Sequence, residues 1–129
     1  MDFDRITAML ENAFWSTGIK KPEVIKGAQN SALLVGGFNE ENNQIAYSRV
    51  ISDKTRFAYI LDVYVDENYR KQGIGQAMIR HILSNPELSD VYQWALITKD
   101  AHGVYQKVGF YPLLHPNNWM QLRFDRPMR

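Results

Sequence analysis

The sequence predicts an α+β fold in which helices flank a β sheet. Three observations carry this. Two segments of helical periodicity come first and are followed by three β-rich runs in a row. The third run breaks at Asp66 and passes through a charged turn to Arg70-x-x-Gly73-x-Gly75, where an amphipathic helix opens. One more strand, a short helix and a final β region close the chain.

Taken in order, residues 4–15 place Ile6, Met9, Leu10, Ala13 and Phe14 at helical spacing behind Asp4 as N-cap, and Gly18 ends this helix. Lys21, Pro22 and Glu23 start a second helix through about Asn30, with Pro22 in the tolerated first turn. Ser31 to Phe38 and Gln44 to Ser52 form a hairpin around Asn39-Glu-Glu-Asn-Asn43. Phe57 to Val65 is the long central strand. Alternation puts Tyr59, Leu61, Val63 and Val65 on one face and Ile60, Asp62 and Tyr64 on the other. Asp62 is the odd member, because a carboxylate in an apolar strand needs a partner, water or a function.

Ile74, Ala77, Met78, Ile82 and Leu83 mark a third helix that ends near Asn85-Pro86. Val91 to Thr98 is a strand, and Asp100 caps a short helix that Gly109 stops. Phe110 to Leu114 and Trp119 to Phe124 make the final β region, and Arg123, Arg126 and Arg129 give the tail a basic, solvated character.

At 129 residues and 45% hydrophobic, the chain is expected to build one core and one domain. Its 15 basic and 14 acidic residues leave a net charge of +1, without the positive excess of a phosphate-tracking nucleic-acid binder, so no nucleic-acid partner is expected. With no cysteine, disulfides, thiolate metal sites and a cysteine nucleophile are excluded. His81, His102 and His115 have no metal-ligand spacing, and no metal is expected. No apolar run reaches the roughly 20 residues of a membrane span, and Asp2, Asp4 and Arg5 do not suit a signal peptide, so a cytoplasmic protein with no membrane partner is expected.

The glycine turn carries the chemistry. A strand that feeds a glycine-bearing turn into a helix leaves several backbone N–H groups without intrahelical partners, which suits an anion. Gly73 and Gly75 let a phosphate approach the main chain, and Arg70 and Lys71 add positive charge. A P-loop is excluded because GxxxxGK[ST] is absent, and the dinucleotide fingerprint fails at Met78, where a third glycine would stand.

The stretch resembles the acyl-CoA motif of the GNAT superfamily of N-acetyltransferases, with Arg70, Gly73 and Gly75 in the motif positions. Tyr105-Gln-Lys-Val-Gly109-Phe110 is similar to the family's second signature, and the resemblance spans roughly residues 30–124. It implies a three-layer fold with a central, mixed, mostly antiparallel sheet, and acetyl-CoA as co-substrate. The family's strand before helix one has only Met1 to Phe3 left for it, so that edge is expected to be short or missing.

The resemblance further implies that the pantetheine arm lies where the central strand and the next one diverge, on the main chain of Val63, Tyr64 and Val65. The pyrophosphate would sit on the amides of Lys71, Gln72, Gly73, Ile74, Gly75 and Gln76. Thr98 or Asp100 would replace the asparagine that holds pantetheine in many members. Tyr105 would give the departing thiolate a proton or hydrogen bond. An alkylamine of pKa about 10.4 costs roughly 4–5 kcal/mol to hold neutral at neutral pH, so a proton acceptor is needed. Asp62 is the first candidate, either through water or by binding a cationic substrate, with a structural ion pair as the competing role. Tyr59 stands near where other members place a catalytic glutamate.

The resemblance implies that the first two helices wall one side of the acceptor site and the last strands border it, so Trp15 and Trp119 are candidate pocket walls. The implied acceptor is a small-molecule amine, with protein N-termini and lysines also open. Members occur as monomers and as homodimers. A non-catalytic CoA-binding sensor is the alternative reading.

Overall fold

The computed structural model describes residues 1–125, so Arg126 and Arg129 of the basic tail lie outside the described residues. The elements are α1 (Phe3–Glu11), α2 (Lys21–Gln29), β1 (Leu33–Phe38), β2 (Gln44–Ser52), β3 (Phe57–Val65), α3 (Ile74–Leu83), β4 (Gln93–Leu96) and α4 (His102–Gln106). Short 3-10 turns lie at Glu67–Tyr69, Pro86–Leu88 and Pro116–Asn118. The four strands form one sheet in the order β1-β2-β3-β4, antiparallel except for the parallel β3–β4 pair. This is the mixed α+β sheet that the sequence predicts.

The sheet is covered on both faces. On one side, Ala46, Val50, Ala58 and Ile60 pack against Met78, Ile79 and Ile82 of α3. On the other, Tyr47 packs against Ile6, Met9 and Leu10 of α1 and Val24 of α2. The apolar spacing of each helix supplies one buried stripe per layer.

Several boundaries move. The N-cap of α1 is Asp2 rather than Asp4: Asp2 is extended and its side chain accepts from the Arg5 N–H at 3.1 Å. Asp4 instead pairs with Lys21 at 2.8 Å, joining the starts of α1 and α2. α1 stops at Glu11, short of the expected end. Residues 12–18 turn instead, and the Gly18 N–H, at φ 75°, closes back on the Glu11 carbonyl at 3.0 Å. Among the described residues no strand precedes α1.

The alternation expected along β3 does not hold. Tyr47 pairs with Tyr64 but Arg49 pairs with Leu61, so β3 carries one extra residue there, and Asp62 adopts φ 55°. This is a β-bulge, and it swaps the parity of the strand. Ala58 and Ile60 face α3 before it, whereas Val63 and Val65 face α3 after it and Tyr64 joins the α1 layer.

The C-terminal third is less regular than expected. β4 spans four residues, and α4 begins after Ala101 with no side-chain cap, so Asp100 does not cap it. Gly109, at φ 104°, follows the end of α4 as expected. Neither Phe110 to Leu114 nor Trp119 to Phe124 forms a strand. A strand needs a neighbour to bond to, and among the described residues no segment pairs with the outer edge of β4. Among the described residues no helix is long and apolar enough to cross a membrane.

The β2–β3 turn is held by Asp53, whose Oδ1 accepts from the backbone N–H groups of Thr55, Arg56 and Phe57 at 2.9–3.1 Å. These donors hold its carboxyl well below the usual carboxylate range. The stabilisation is therefore full above the unfolded value of about 4 and is lost as pH falls towards the lowered folded value. Asp53→Ala should lower the melting temperature at neutral pH. The gap from wild type should narrow progressively below about pH 4 in a series of thermal melts.

Candidate functional site

The parallel register of β3 and β4 ends at Ile60 and Leu96, while β3 continues to Val65. Residues 61–65 of β3 therefore have no strand partner on that side, and a gap opens between the two strands. Val63 and Val65 line it from the α3 layer, and Tyr64 faces α1.

At the end of β3 the chain passes through Lys71, at φ 64°, to Gly73, the N-cap of α3, at φ 81°. No side chain caps α3, so the first-turn N–H groups of Ile74, Gly75 and Gln76 are left to an outside acceptor. A Cβ added at Gly73 or Gly75 would meet nothing within 4 Å. The concavity is open, with Lys71 and Gln72 exposed beside it. Arg70 is placed differently from the sequence expectation. Its Nε donates to the Val65 carbonyl at 2.8 Å and its guanidinium lies 5.2 Å from the centre of the Tyr64 ring. Its charge sits at the end of β3 rather than over the glycines.

Asp62 has both carboxylate oxygens engaged. Oδ2 accepts from Arg49 Nε at 2.7 Å and Oδ1 from Trp15 Nε1 at 3.0 Å. Arg49 also donates to the Gly27 carbonyl and Ser31 Oγ, each at 3.3 Å, so one guanidinium ties α2 to the bulge. The lack of a side chain at Gly27 makes room for it, since a Cβ there would stand 3.3 Å from the guanidinium. Next to this pair, Glu23, Lys26 and Tyr47 help line a cleft of about 370 Å³ between the sheet and α2.

Trp15 packs edge-on to Tyr64 and Phe14, with ring centres 6.4 and 5.0 Å away. Lys99, just beyond β4, lies 5.2 Å over the Phe14 ring. The α1–α2 loop thus reaches the loop after β4. Sequence reasoning missed Arg49, Tyr47 and Lys99. A lone arginine in the β-rich run of β2 was the available signal for the first.

Tyr105 lies on α4, half-buried, 6.1 Å from Phe110 in an edge-to-face contact. Burial pushes its pKa up, and the hydroxyl that is buried without a hydrogen-bond partner among the described residues is that of Tyr47. Burial, then the Asp62 charge, also raises Tyr59, so that phenol does not serve as a base at neutral pH. Burial and Asp62 push Tyr47 up to about 12 against the opposing pull of Arg49.

The remaining candidates are less available. Thr98 Oγ1 accepts from the Ala101 N–H at 3.0 Å, and Asp100 is exposed. Trp119 packs on Phe57, with ring centres 6.3 Å apart, at the opposite end of β3 from Asp62, so the structure does not bring it to this cleft. No group of three His, Asp or Glu among the described residues is arranged to hold a metal ion.

A family model described as an acetyltransferase (GNAT) domain matches residues 31–112, more than half of the chain. The chain belongs to the GNAT acetyltransferase family. It is therefore an acyltransferase. A solved structure from Xanthomonas campestris pv. campestris, assigned to the GNAT family, is 34% identical, with a TM-score of 0.89 over 96% of this chain and 87% of that one. A structure from meticillin-resistant Staphylococcus aureus shares the fold at 24% identity and a TM-score of 0.78, over 96% and 94% of the two chains. One from Clostridium acetobutylicum, solved with acetyl-CoA, shares it at 20% identity and a TM-score of 0.71, over 95% and 90%. A search of curated proteins by sequence gives no match.

Arg49→Met leaves a largely buried carboxylate without its ion partner, and it should lower the unfolding free energy by about 2–3 kcal/mol, less than a fully buried pair because both side chains keep some solvent contact. Adding Asp62→Asn removes the stranded charge and keeps a residue tolerant of the left-handed backbone at position 62. The double variant should regain part of the loss in urea denaturation.

Proposed function

We propose that this chain is a single-domain N-acetyltransferase that moves the acetyl group of acetyl-CoA directly to a primary amine of a small molecule. The observation that carries the reading is the run of open amides at the start of α3, next to the unpaired edge of β3. The amides suit a diphosphate, and the strand edge suits an amide-bearing arm that hydrogen-bonds as an added strand would. Both lie at one end of the sheet. Acetyl-CoA supplies an activated thioester, and the chain supplies binding, orientation and proton handling.

The acceptor amine would occupy the cleft beside Asp62, walled by α2, Tyr47 and Arg49, with Trp15 holding the Asp62 carboxylate. Each oxygen of an ionised carboxylate can accept more than one hydrogen bond, so Asp62 can hold Arg49 and Trp15 and still receive an N–H from the amine or a bridging water. Arg49 offsets most of its charge, so the pair selects geometry more than it attracts cations. The amine nitrogen forms a bond to the thioester carbonyl carbon, the carbon–sulfur bond breaks, and the amine proton leaves towards Asp62 or water. Tyr105, kept protonated by burial, donates to the departing sulfur.

Gly75→Val tests the cradle with little strain, because Gly75 is helical and its Cβ would enter open space. The fold should persist by circular dichroism, and calorimetry should show acetyl-CoA affinity reduced about tenfold or more. Unchanged affinity would remove the phosphate from this turn.

Tyr105→Phe should bind acetyl-CoA normally and lower kcat roughly 100-fold. Wild-type kcat at saturating amine should fall only above about pH 10, where a raised tyrosine begins to ionise, and the variant should lack that limb. Thiol release measured over a panel of small amines tests turnover itself. Acetyl-CoA binding without thiol release with any amine would overturn the proposal in favour of a sensor.

A further inference from the structure

One buried side-chain polar atom among the described residues has no partner. The Tyr47 side chain is 1% exposed, and its hydroxyl makes no hydrogen bond to any described residue. Native structures leave few such groups, because a hydroxyl taken out of water without a partner is costly. Tyr47 stands in the wall of the cleft of about 370 Å³ between the sheet and α2, and the charges of both Arg49 and Asp62 act on its hydroxyl. A pKa of about 12 keeps the proton on that oxygen, so it can donate.

A second donor is unspent beside it. Arg49 gives Nε to Asp62 and Nη1 to Gly27 and Ser31, whereas Nη2 donates to no described residue. Nη2 stands 3.4 Å from where a Cβ on Gly27 would be, so it too lies on the α2 side, where Gly27 lines the cleft. An oxygen anion satisfies both donors at once, and an ammonium group satisfies neither.

The rest of the cleft narrows the ligand further. Leu10, Val24 and Ile51 supply apolar lining, and Ile51 is 45% exposed. Glu23 and Lys26 bring one charge of each sign, as Asp62 and Arg49 do, so the cleft is neutral as a whole yet holds separated charges. A zwitterion with an apolar body matches it. The volume falls within the range of small-ligand sites.

We infer that the acceptor is an α-amino acid with an apolar side chain, its carboxylate held by the Tyr47 hydroxyl and Arg49 Nη2 and its amine at Asp62. This rests on the acetyl-transfer reading and names its substrate. One carbon separates amine from carboxylate in such a molecule, and one guanidinium likewise joins Asp62, at Nε, to the carboxylate position, at Nη2. The amine nitrogen bonds to the acetyl carbon and the carbon–sulfur bond breaks. The proton that the neutral amine loses equals the one that the thiol gains, and the product is an N-acetyl amino acid.

Leucine, leucinamide and isoamylamine present one apolar body with a carboxylate, a carboxamide and no oxygen. Thiol release should give kcat/KM in that order, with leucine about tenfold or more above isoamylamine. Tyr47→Phe should cut the preference of leucine over isoamylamine about tenfold, chiefly through the KM for leucine. Its melting temperature should equal or exceed that of wild type, because the hydroxyl it removes has no partner in the fold. Isoamylamine turned over as well as leucine would overturn the inference and leave acetyl transfer standing, as would release with other small amines and none of these three. A Tyr47→Phe protein that keeps the full preference would also overturn it. No release with any amine would take the transfer reading down with it.

Discussion

The extra residue at Asp62 is the constraint on which the site depends. Without it, β3 would keep one parity from Phe57 to Val65, and Val63 and Val65 would turn away from α3. With it, the α3-facing set changes from even to odd positions within the strand. The parallel ladder with β4 also ends just before this point, at Ile60. A left-handed backbone at a non-glycine residue is costly, roughly 1–3 kcal/mol, and persists only where its surroundings enforce it. Arg49 and Trp15, one on each carboxylate oxygen, are those surroundings.

This makes Asp62 a joint between layers as much as a chemical group. Arg49 reaches through it to the end of α2, and Trp15 reaches it from the loop after α1. The α1–α2 pair is thus fastened to the strand at its irregular point. Any ligand in the cleft beside that point contacts residues whose positions are set by one network. Rigid support of this kind is what a site needs for orientation.

The central part of the fold was legible because its signals are local. β2 and β3 begin and end where their apolar runs do, and the glycine turn announces itself through residues that few other contexts require. The bulge was not legible. Its cause is a pairing between Arg49 and Asp62, thirteen positions apart, and strict alternation is the only reading that composition allows. The α1 cap was missed because Asp2 and Asp4 are equally plausible on paper, and the choice rests on a tertiary contact of Asp4 with Lys21. The last two β segments carry a valid strand pattern, yet pattern specifies only a propensity for pairing and does not supply the neighbour. For the site, motif spacing pointed to the glycine turn and Tyr105. It could not show that Arg70 folds back on Val65, or that Trp119 lies at the far end of β3.

The two covered faces of the sheet bear on how reactants come and go. The amide cradle belongs to the α3 layer, and the cleft at Asp62 belongs to the α1–α2 layer, with β3 between them. On the proposed reading, donor and acceptor approach one strand from opposite sides and meet only at the gap. Neither stands in the other's doorway. Spent coenzyme and acetylated product would then depart independently, and a slow exit of one would not bar the next molecule of the other.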